Sequence, residues 1–448
     1  MKKDEKKKTP MDADENKGMG RFVRSCDDAC PRWSTSRGVL LVFLLAALIR
    51  AGALWLAPNA LATDPDDYRR LADNLVQYDT FGRETAPTAY RPPLYPLLLT
   101  GCRTREAVGV LHVALGAAAA AIVFALGRCW GLGRWAAGLA AMLVACDPIL
   151  VNQSTQVMTE TLAALLAALA LLALTWLDRR PTAAAAIGTG VVLGLAVLCR
   201  PTFLAWAAVL GAAWLWRGRR DAKEIRVAAF FLLGLLAALS PWAIRNGREF
   251  GRPIVTTTHG GFTLLLANNP EFYQWLRESR WGDVWRADRF NADWAARRPN
   301  DEWQADRLAY SEAWRTIRRE PGTFLYACCV RMGRFWSPLP HCTTNDESAR
   351  RRAARWGVAA WYSVELLLAV VGLGLLVKRG AMGRVWIWGL LLAACFAAAH
   401  TLYWTDMRMR GPLTPWLALA AASTIGSVGA KGPQRAPTTE TDPQASGP

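Results

Sequence analysis

Long, uninterrupted runs of apolar residues recur along this 448-residue chain, and they constrain its fold more than any other feature. A helix of roughly twenty apolar residues, rising about 1.5 Å per residue, matches the ~30 Å hydrocarbon core of a membrane. The sequence predicts an all-α polytopic membrane protein. About ten spans are predicted, at residues 38–56, 108–128, 135–150, 157–177, 183–199, 202–216, 227–243, 357–377, 385–402 and 413–428.

The distribution of basic residues predicts the orientation of these spans. The first 36 residues are strongly basic, which places the N-terminus in the cytoplasm, because short cytoplasmic loops carry an excess of Lys and Arg. If the spans alternate, every Lys beyond that head also falls on the cytoplasmic side, at Lys223, Lys378 and Lys431. The net charge of +17 therefore indicates anionic membrane lipids as partners, and no basic patch on a soluble fold suggests nucleic acid.

Charge and hydropathy divide the chain into five predicted parts. Residues 1–36 are expected to be a disordered cytoplasmic head and 429–448 a disordered cytoplasmic tail. A transmembrane core covers 37–243, with its first outer loop at 57–107, and further transmembrane helices follow at 357–428. The stretch 244–356 is the only polar one long enough for a small extracytoplasmic domain, which is predicted to be mostly helical because the apolar residues of its second half recur at helical spacing. The chain shows no P-loop, dinucleotide fingerprint, HExxH motif or zinc-like cysteine spacing.

The loop at 57–107 carries more chemistry than a connection between spans requires. In TDPDDYRRLADNL, Asp64 is predicted to cap a helix that starts at Pro65, with its apolar stripe facing inwards through Tyr68. In that helix Asp66 would be solvated and Asp67 would flank the stripe. The prolines of YRPPLYP favour an extended segment that holds Arg91 at the membrane surface. From these residues alone, Asp64 could serve only as a helix cap, and Arg91 could serve only to contact lipid headgroups.

Several blocks, taken in order, resemble the GT-C glycosyltransferases. The first is this loop, with an acid four residues before a Tyr, then LADNL and RPPLYPLLL; DPILVNQSTQVMTETLAALLAALAL, GLAVLCRPTFL, SPWAIRNGREFGRP and DMRMRGPLTPW follow. The chain is most similar to the bacterial relatives of protein O-mannosyltransferases and of the lipid A aminoarabinose transferase. It departs from the family at Met409, where a Tyr is usual, and at Glu160, where some branches have Asp.

The resemblance implies an inverting hexosyl or pentosyl transferase of the cell envelope that uses a polyprenyl-phosphate-linked sugar. Asp64 is the implied base. A group that binds the donor phosphate or substrate comprises Tyr90, Arg91, Glu160, Arg200, Arg245, Arg408 and Arg410. Supporting roles fall to Asp67, Tyr68, His259 and Asn268. The acceptor would be an extracytoplasmic glycan, lipid or protein, and the active site would lie at the extracytoplasmic face of the cell membrane.

Other interpretations stay open from the sequence. No cofactor is required, and a divalent metal is undecided because some branches of the family bind one and others do not. An O-antigen ligase or polymerase, a lipid-linked-glycan flippase or transporter, and a protein without catalytic activity are the alternatives. Arg50 lies inside the first span, and the cost of an intramembrane charge predicts that it faces the protein interior or the outer cavity, with snorkelling to the membrane surface as the alternative.

Overall fold

The computed structural model describes residues 36–57, 59–279, 283, 285–342 and 347–425. Its helices are α1 (Ser36–Leu56), α2 (Tyr68–Tyr78), α3 (Leu94–Leu99), α4 (Arg105–Cys129), α5 (Arg134–Cys146), α6 (Pro148–Ser154), α7 (Glu160–Arg179), α8 (Ala183–Cys199), α9 (Phe203–Gly218), α10 (Ala222–Phe250), α11 (Gly260–Ala267), α12 (Pro270–Glu278), α13 (Asp288–Arg297), α14 (Glu302–Arg319), α15 (Pro321–Trp336), α16 (Ala349–Lys378), α17 (Arg384–Leu402) and α18 (Thr414–Ala422). A 3₁₀ helix at Met407–Leu413 precedes α18, and two short antiparallel strands, β1 (Gly82–Arg83) and β2 (Ala86–Pro87), form a hairpin. The predicted disordered head and tail lie outside the described residues.

The chain is an all-α polytopic membrane protein, as predicted, but the described part has fewer full-length spans than the sequence suggested. Six helices are long and apolar enough to cross a membrane: α1, α4, α7, α10, α16 and α17. The predicted span 135–150 is broken, because α5 and α6 meet at Asp147 with a bend of 47°. Counting this pair as one span gives up to seven, while α8 and α9 are shorter apolar helices. The count of ten is therefore not confirmed.

Helix α7 lies at the centre of the bundle. Its apolar window is 78% buried, the largest fraction among the candidate spans, and it packs against α4, α8 and α17. The 3₁₀ helix also contacts α7, which brings residues near the C-terminal end of the described chain to the N-terminal end of α7. Helix α8 also packs closely against α10. At Gly190 the two backbones are so near that a Cβ would overlap the carbonyl oxygen of Phe231. The small residues of GVVLG, at 190–194, thus allow close helix contact.

The first loop, residues 57–104, folds into α2, the hairpin and α3. Two local predictions were wrong here. Helix α2 begins at Tyr68 and not at Pro65, because Asp67 has a left-handed backbone (φ 60°) that ends the preceding turn. The segment YRPPLYP is non-helical only to Pro93, and Pro96 lies in the first turn of α3, where the missing amide hydrogen costs nothing.

The long segment, residues 251–348, contains the five helices α11 to α15, in agreement with its helical periodicity. The membrane helices on either side extend into the stretch assigned to it from the sequence. Helix α10 continues through Pro241 to Phe250, and α16 begins at Ala349. Within the long segment, α11 packs against α14, and α15 packs against the membrane helix α17. The segment also contacts the first loop, since Glu302 and Thr258 are hydrogen-bonded to Thr88 and Ala89, so both lie at the same end of the bundle.

Candidate active site

Asp64 caps helix α2 from the turn that precedes it. Its Oδ1 accepts the backbone N–H of Tyr68 at 2.9 Å, and its Oδ2 accepts those of Arg69 at 2.9 Å and Arg70 at 3.2 Å. Burial raises the pKa of the Asp64 carboxyl above its ordinary value, although the three amides oppose the rise. The carboxylate is therefore held in one orientation, and Oδ1, with one bond, keeps a lone pair for another donor.

Tyr68 anchors this turn to the membrane helices. Its ring is buried and meets that of Tyr95 edge-on, 5.4 Å between centroids. The Tyr95 hydroxyl lies 2.7 Å from Nε2 of His112 on α4, whose other ring nitrogen lies 2.9 Å from the Ser154 carbonyl oxygen. Burial raises the pKa of Tyr68, while Arg91 and Arg200 lower it and Asp66 and Glu160 raise it. Tyr68 thus stands among four charged groups from three separate parts of the chain.

Arg91 forms an ion pair that the sequence did not predict. Its Nη2 lies 2.8 Å from Oδ1 of Asp66, and both side chains are about one-fifth exposed, at 19% and 21%. The prediction of a solvated Asp66 was wrong, because the turn before Tyr68 does not follow helical spacing. The Arg91 guanidinium also lies over the rings of Tyr68 and Tyr90, at 5.8 and 5.4 Å from their centroids.

Tyr90 and His259 form an aromatic pair beside Arg91. Their ring centroids are 4.3 Å apart, edge to face. Burial lowers the pKa of His259 to about 3, helped by the charge of Arg91, and burial raises that of Tyr90 to about 12. Both side chains are therefore neutral near pH 7. Nδ1 of His259 is buried without a hydrogen-bond partner among the described residues.

Glu160, at the start of α7, forms ion pairs with two arginines. Its Oε1 lies 3.1 Å from Nη2 of Arg200 and 3.8 Å from Nη1 of Arg408, and its side chain has no exposed surface. The pKa of Arg408 is raised: burial opposes the rise, but the carboxylates of Asp406, Glu160 and Asp66 outweigh it. Arg200 also contacts the Met409 sulfur at 3.4 Å, at the position where the sequence departs from its family.

Part of the predicted group is thus assembled around Tyr68, and part is not. The assembled residues are Asp64, Tyr68, Tyr90, Arg91, Glu160, Arg200, His259 and Arg408. Elsewhere, Arg245 donates to the carbonyl oxygens of Phe81 and Thr88. Asn268 accepts from Tyr273 and Arg331, and Asp67 pairs with Arg70 at the surface. The side chains of Arg245, Asn268 and Asp67 therefore form contacts within the protein.

Arg410 belongs to a second buried polar cluster. It donates to the carbonyl oxygens of Phe335 and Ser337 and lies over the Tyr362 ring, 4.6 Å from its centroid. The Tyr362 hydroxyl donates to Asp147 at 2.9 Å, in the break between α5 and α6. Nearby, Arg50 is fully buried and donates to the carbonyl oxygens of Ala145 and Val144 at the end of α5. Arg50 therefore faces the protein interior, as predicted.

Sequence reasoning missed the contact that joins the first loop to the long segment. Glu302, at the start of α14, accepts from the Thr88 hydroxyl, from the Ala89 amide at 3.0 Å and from the Thr258 hydroxyl at 3.0 Å. No motif marks Glu302, and a contact over more than 200 residues has no local signal. This carboxylate fixes the backbone immediately before Tyr90 and Arg91.

The carboxylates of the site are engaged by arginines or by backbone amides. Among the described residues, no three His, Cys, Asp or Glu side chains are arranged to hold an ion. Asp66 and Glu160 are each paired with Arg, and Asp64 is bound to backbone amides. Such an arrangement can bind an anion at the arginines and accept a proton at Asp64.

Residues 104–244 match the family model of the dolichyl-phosphate-mannose-protein mannosyltransferases. AglB, the oligosaccharyltransferase of Archaeoglobus fulgidus, solved with an inhibitory peptide and a dolichol-phosphate, is 16% identical with a TM-score of 0.50; the alignment covers 88% of this chain and 50% of that one. ArnT of Cupriavidus metallidurans, bound to undecaprenyl phosphate, is 14% identical with a TM-score of 0.41, over 88% of this chain and 78% of that one. No curated protein matches the chain by sequence. The chain is thus similar to GT-C glycosyltransferases in sequence over 104–244 and in fold over most of its length.

Proposed function

We propose that this membrane protein transfers a sugar from a polyprenyl-phosphate donor to an acceptor at the extracytoplasmic face, with inversion at the anomeric carbon. One observation carries the proposal: Asp64, Arg91 and Arg200 converge around Tyr68, and Arg408 joins them through Glu160, although these residues are far apart in the sequence. The mannosyltransferase match at 104–244 and the fold shared with AglB, which was solved with dolichol-phosphate, support this donor class.

The reaction requires a base near a site for phosphate. The acceptor oxygen bonds to the anomeric carbon, its proton passes to Asp64, and the bond from that carbon to the phosphate oxygen breaks with its electron pair going to the phosphate. The raised pKa of Asp64 suits a base, since a more basic carboxylate takes a proton more readily. A single displacement inverts the configuration, and the phosphate leaves without needing a proton.

Arg91 is the first candidate to bind the donor phosphate. Within the described part of the chain, only its Nη2 forms an ion pair, and its side chain is 19% exposed. Arg200 and Arg408 are shielded by Glu160, but Nη1 of Arg200 is buried without a partner among the described residues. Guanidinium groups bind phosphate oxygens in a bidentate manner, which fixes the geometry of the leaving group. Glu160 would orient these arginines.

The remaining predicted residues support the site indirectly in this proposal. Arg245 holds both ends of the hairpin that leads to Tyr90, and Arg410 joins α15 to the 3₁₀ helix. The neutral pair Tyr90 and His259 borders Arg91, where a sugar ring would sit beside the phosphate. The acceptor is a glycan, a lipid or a protein of the cell envelope, and the N-terminus lies in the cytoplasm, as the loop charges predict.

Transfer by the purified full-length protein tests the proposal. A panel of radiolabelled sugars on polyprenyl phosphate is incubated with the protein and envelope acceptors, and the anomeric configuration of the product is determined by NMR. We expect transfer of one sugar class with inverted configuration. Retained configuration would contradict the displacement by the acceptor, and transfer only from pyrophosphate donors would favour a ligase or polymerase.

A further inference from the structure

We propose that Asp66 is a resident counter-ion of Arg91 that exchanges with lipid phosphate and promotes release of the polyprenyl phosphate product. This inference rests on the proposed function and adds a residue that has no part in the transfer step. Asp66 would be a positioning residue for Arg91 before the donor arrives, and a competitor for the same guanidinium after the sugar has left.

The geometry places the carboxylate where a phosphate must bind. Asp66 Oδ1 lies 2.8 Å from Nη2 of Arg91, while Nε and Nη1 have no partner among the described residues. The Arg91 side chain is 19% exposed, so these atoms remain open to a ligand. An incoming phosphate therefore meets a guanidinium that is already partly neutralised by a carboxylate.

Both members of the pair are held by rigid backbone. Asp66 lies in the turn between Asp64 and Asp67, which is closed by the bond from the Asp67 amide to the Asp64 carbonyl oxygen at 3.2 Å. On the other side, the Tyr90 amide donates to the Thr88 hydroxyl at 3.0 Å, and the Thr258 amide donates to the Ala89 carbonyl oxygen at 3.0 Å. Neither segment can move far, so displacement of the carboxylate is a side-chain rotation.

Asp66 competes with the lipid phosphate for Arg91, and the charge change of the reaction makes this competition stronger against the product than against the donor. The donor is a phosphodiester with one negative charge, whereas the product is a phosphomonoester with a second ionisation near pH ~6, and so carries almost two at neutral pH. Coulomb repulsion by Asp66 scales with that charge. The carboxylate therefore opposes the product more than the donor, and it offers Arg91 a replacement partner when the product leaves.

The other arginines of the site also lie near carboxylates. Arg408 contacts Glu160, and its charge interacts with that of Asp66. Arg91 faces Asp66, Arg200 faces Glu160, and Arg408 lies between Glu160 and Asp406. Glu160 has no exposed surface, whereas Asp66 is 21% exposed, so the carboxylate that faces Arg91 has room to leave its partner and return.

The experiment measures binding and product inhibition in the purified full-length protein in lipid nanodiscs. Undecaprenyl phosphate is the probe for the product. Asp66→Asn retains an oxygen that can accept from Arg91 but removes the charge. Asp73→Asn is the matched control, since Asp73 lies on helix α2, which follows this turn, is 65% exposed and pairs with Arg69 at 4.0 Å.

We expect Asp66→Asn to bind undecaprenyl phosphate about tenfold more tightly, equivalent to ~1.4 kcal/mol. In the transfer assay its product-inhibition constant should fall by a similar factor, its donor KM by less, and its kcat should fall as release slows. Asp73→Asn should match the wild type in all four quantities. If Asp66→Asn folds poorly, Asp66→Ser gives the same charge change with a smaller side chain.

A purely structural ion pair predicts the opposite sign, because losing it would loosen Arg91 and weaken binding. Unchanged or weaker binding in Asp66→Asn would therefore overturn the inference. Arg91→Ala serves as the reference for loss of the phosphate contact. If the wild type binds the lipid phosphate and Arg91→Ala does not, while Asp66→Asn is no tighter, only this inference fails. If the wild type does not bind it, the inference fails together with the proposed donor class.

Discussion

At the scale of single residues, Asp64 has two uses that one substitution can separate. Its carboxylate caps α2 through three amides, and in the proposed reaction it accepts a proton. Asparagine keeps one oxygen acceptor, so Asp64→Asn should cost about 1 kcal/mol of stability or less. As it cannot act as a base, we expect transfer to fall roughly a hundredfold or more. Radiolabelled transfer and thermal unfolding of the purified variants measure both effects.

Asp73→Asn is the control for Asp64→Asn, because it removes the same charge from the helix that Asp64 caps without touching the cap. Its rate of transfer should equal that of the wild type. Full activity in Asp64→Asn would restrict Asp64 to capping and would move the search for the base to another carboxylate of the turn.

The raised pKa of Asp64 also predicts the pH dependence of the reaction. The base must be ionised, so activity is lost as pH falls through the pKa of the folded enzyme. Burial raises that pKa, so the acid limb of the kcat/KM profile should lie above pH ~3.9, the ordinary value for Asp. The same shift means that the folded state binds this proton more tightly than the unfolded state. The contribution of Asp64 to stability should therefore fall as pH rises through this window. A limb at or below the ordinary value would contradict the effect of burial.

At the scale of elements, Arg50 ties α1 to α5, and Gly116 on α4 makes room for it. A Cβ at Gly116 would overlap Nε, Cδ and Cζ of the Arg50 side chain. Gly116→Ala should therefore displace a buried guanidinium from the carbonyl oxygens at the end of α5. Overpacking of this kind costs about 1–3 kcal/mol, before any loss of the hydrogen bonds. We expect a lower Tm in thermal unfolding in detergent.

Gly138→Ala is the matched control, since Gly138 lies in membrane helix α5 and a Cβ there would have no atom within 4 Å. Alanine also favours a helix over glycine by up to about 1 kcal/mol. Its Tm should be equal to or above that of the wild type. An equal loss of Tm in both variants would mean that helix flexibility, and not space for Arg50, explains Gly116.

A second contact between elements, through Glu302, holds the segment that carries Arg91. Glu302→Ala would leave the Ala89 amide and two hydroxyl groups without their acceptor. Hydrogen exchange at residues 82–91 should become faster, and transfer should fall about tenfold because the position of Arg91 is less well defined. Glu271→Ala, at an exposed position of α12, should change neither. Unchanged exchange in Glu302→Ala would show that Arg245 and the hairpin suffice to hold this segment.

At the scale of the whole molecule, the orientation of the spans decides which side the proposed site faces. In a background without cysteine, single Cys residues at Ala86 and Asp301, both exposed, should react with an impermeant thiol reagent added to intact cells. Single Cys residues at Arg219 and Arg379, at the other ends of membrane helices, should react only after permeabilisation. Labelling of the Arg219 position in intact cells would invert the topology, and the donor would then approach from the cytoplasm.

Much of the fold could be predicted because the hydropathy pattern of a helix depends on residues that are close in the sequence. The helical character of the long segment follows from local spacing, and the inward position of Arg50 follows from the cost of a buried charge. The break at Asp147 was missed because α5 and α6 are both apolar, so their joint composition is that of one span. The start of α2 was misplaced because the left-handed backbone of Asp67 has no clear sequence signal.

The sequence by itself determined that the chain is a membrane protein, that its long polar segment is mostly helical, and which residue types the site has available. These properties depend on composition and periodicity, which are local. Only the tertiary structure decided the partners, because an ion pair depends on distance in space. It joins Asp66 to Arg91, Glu160 to Arg200 and Arg408, and Thr88 to Glu302 across 214 residues. In the tertiary structure Arg245 and Arg410 donate instead to backbone carbonyl oxygens, because a guanidinium that loses contact with water needs acceptors from the protein.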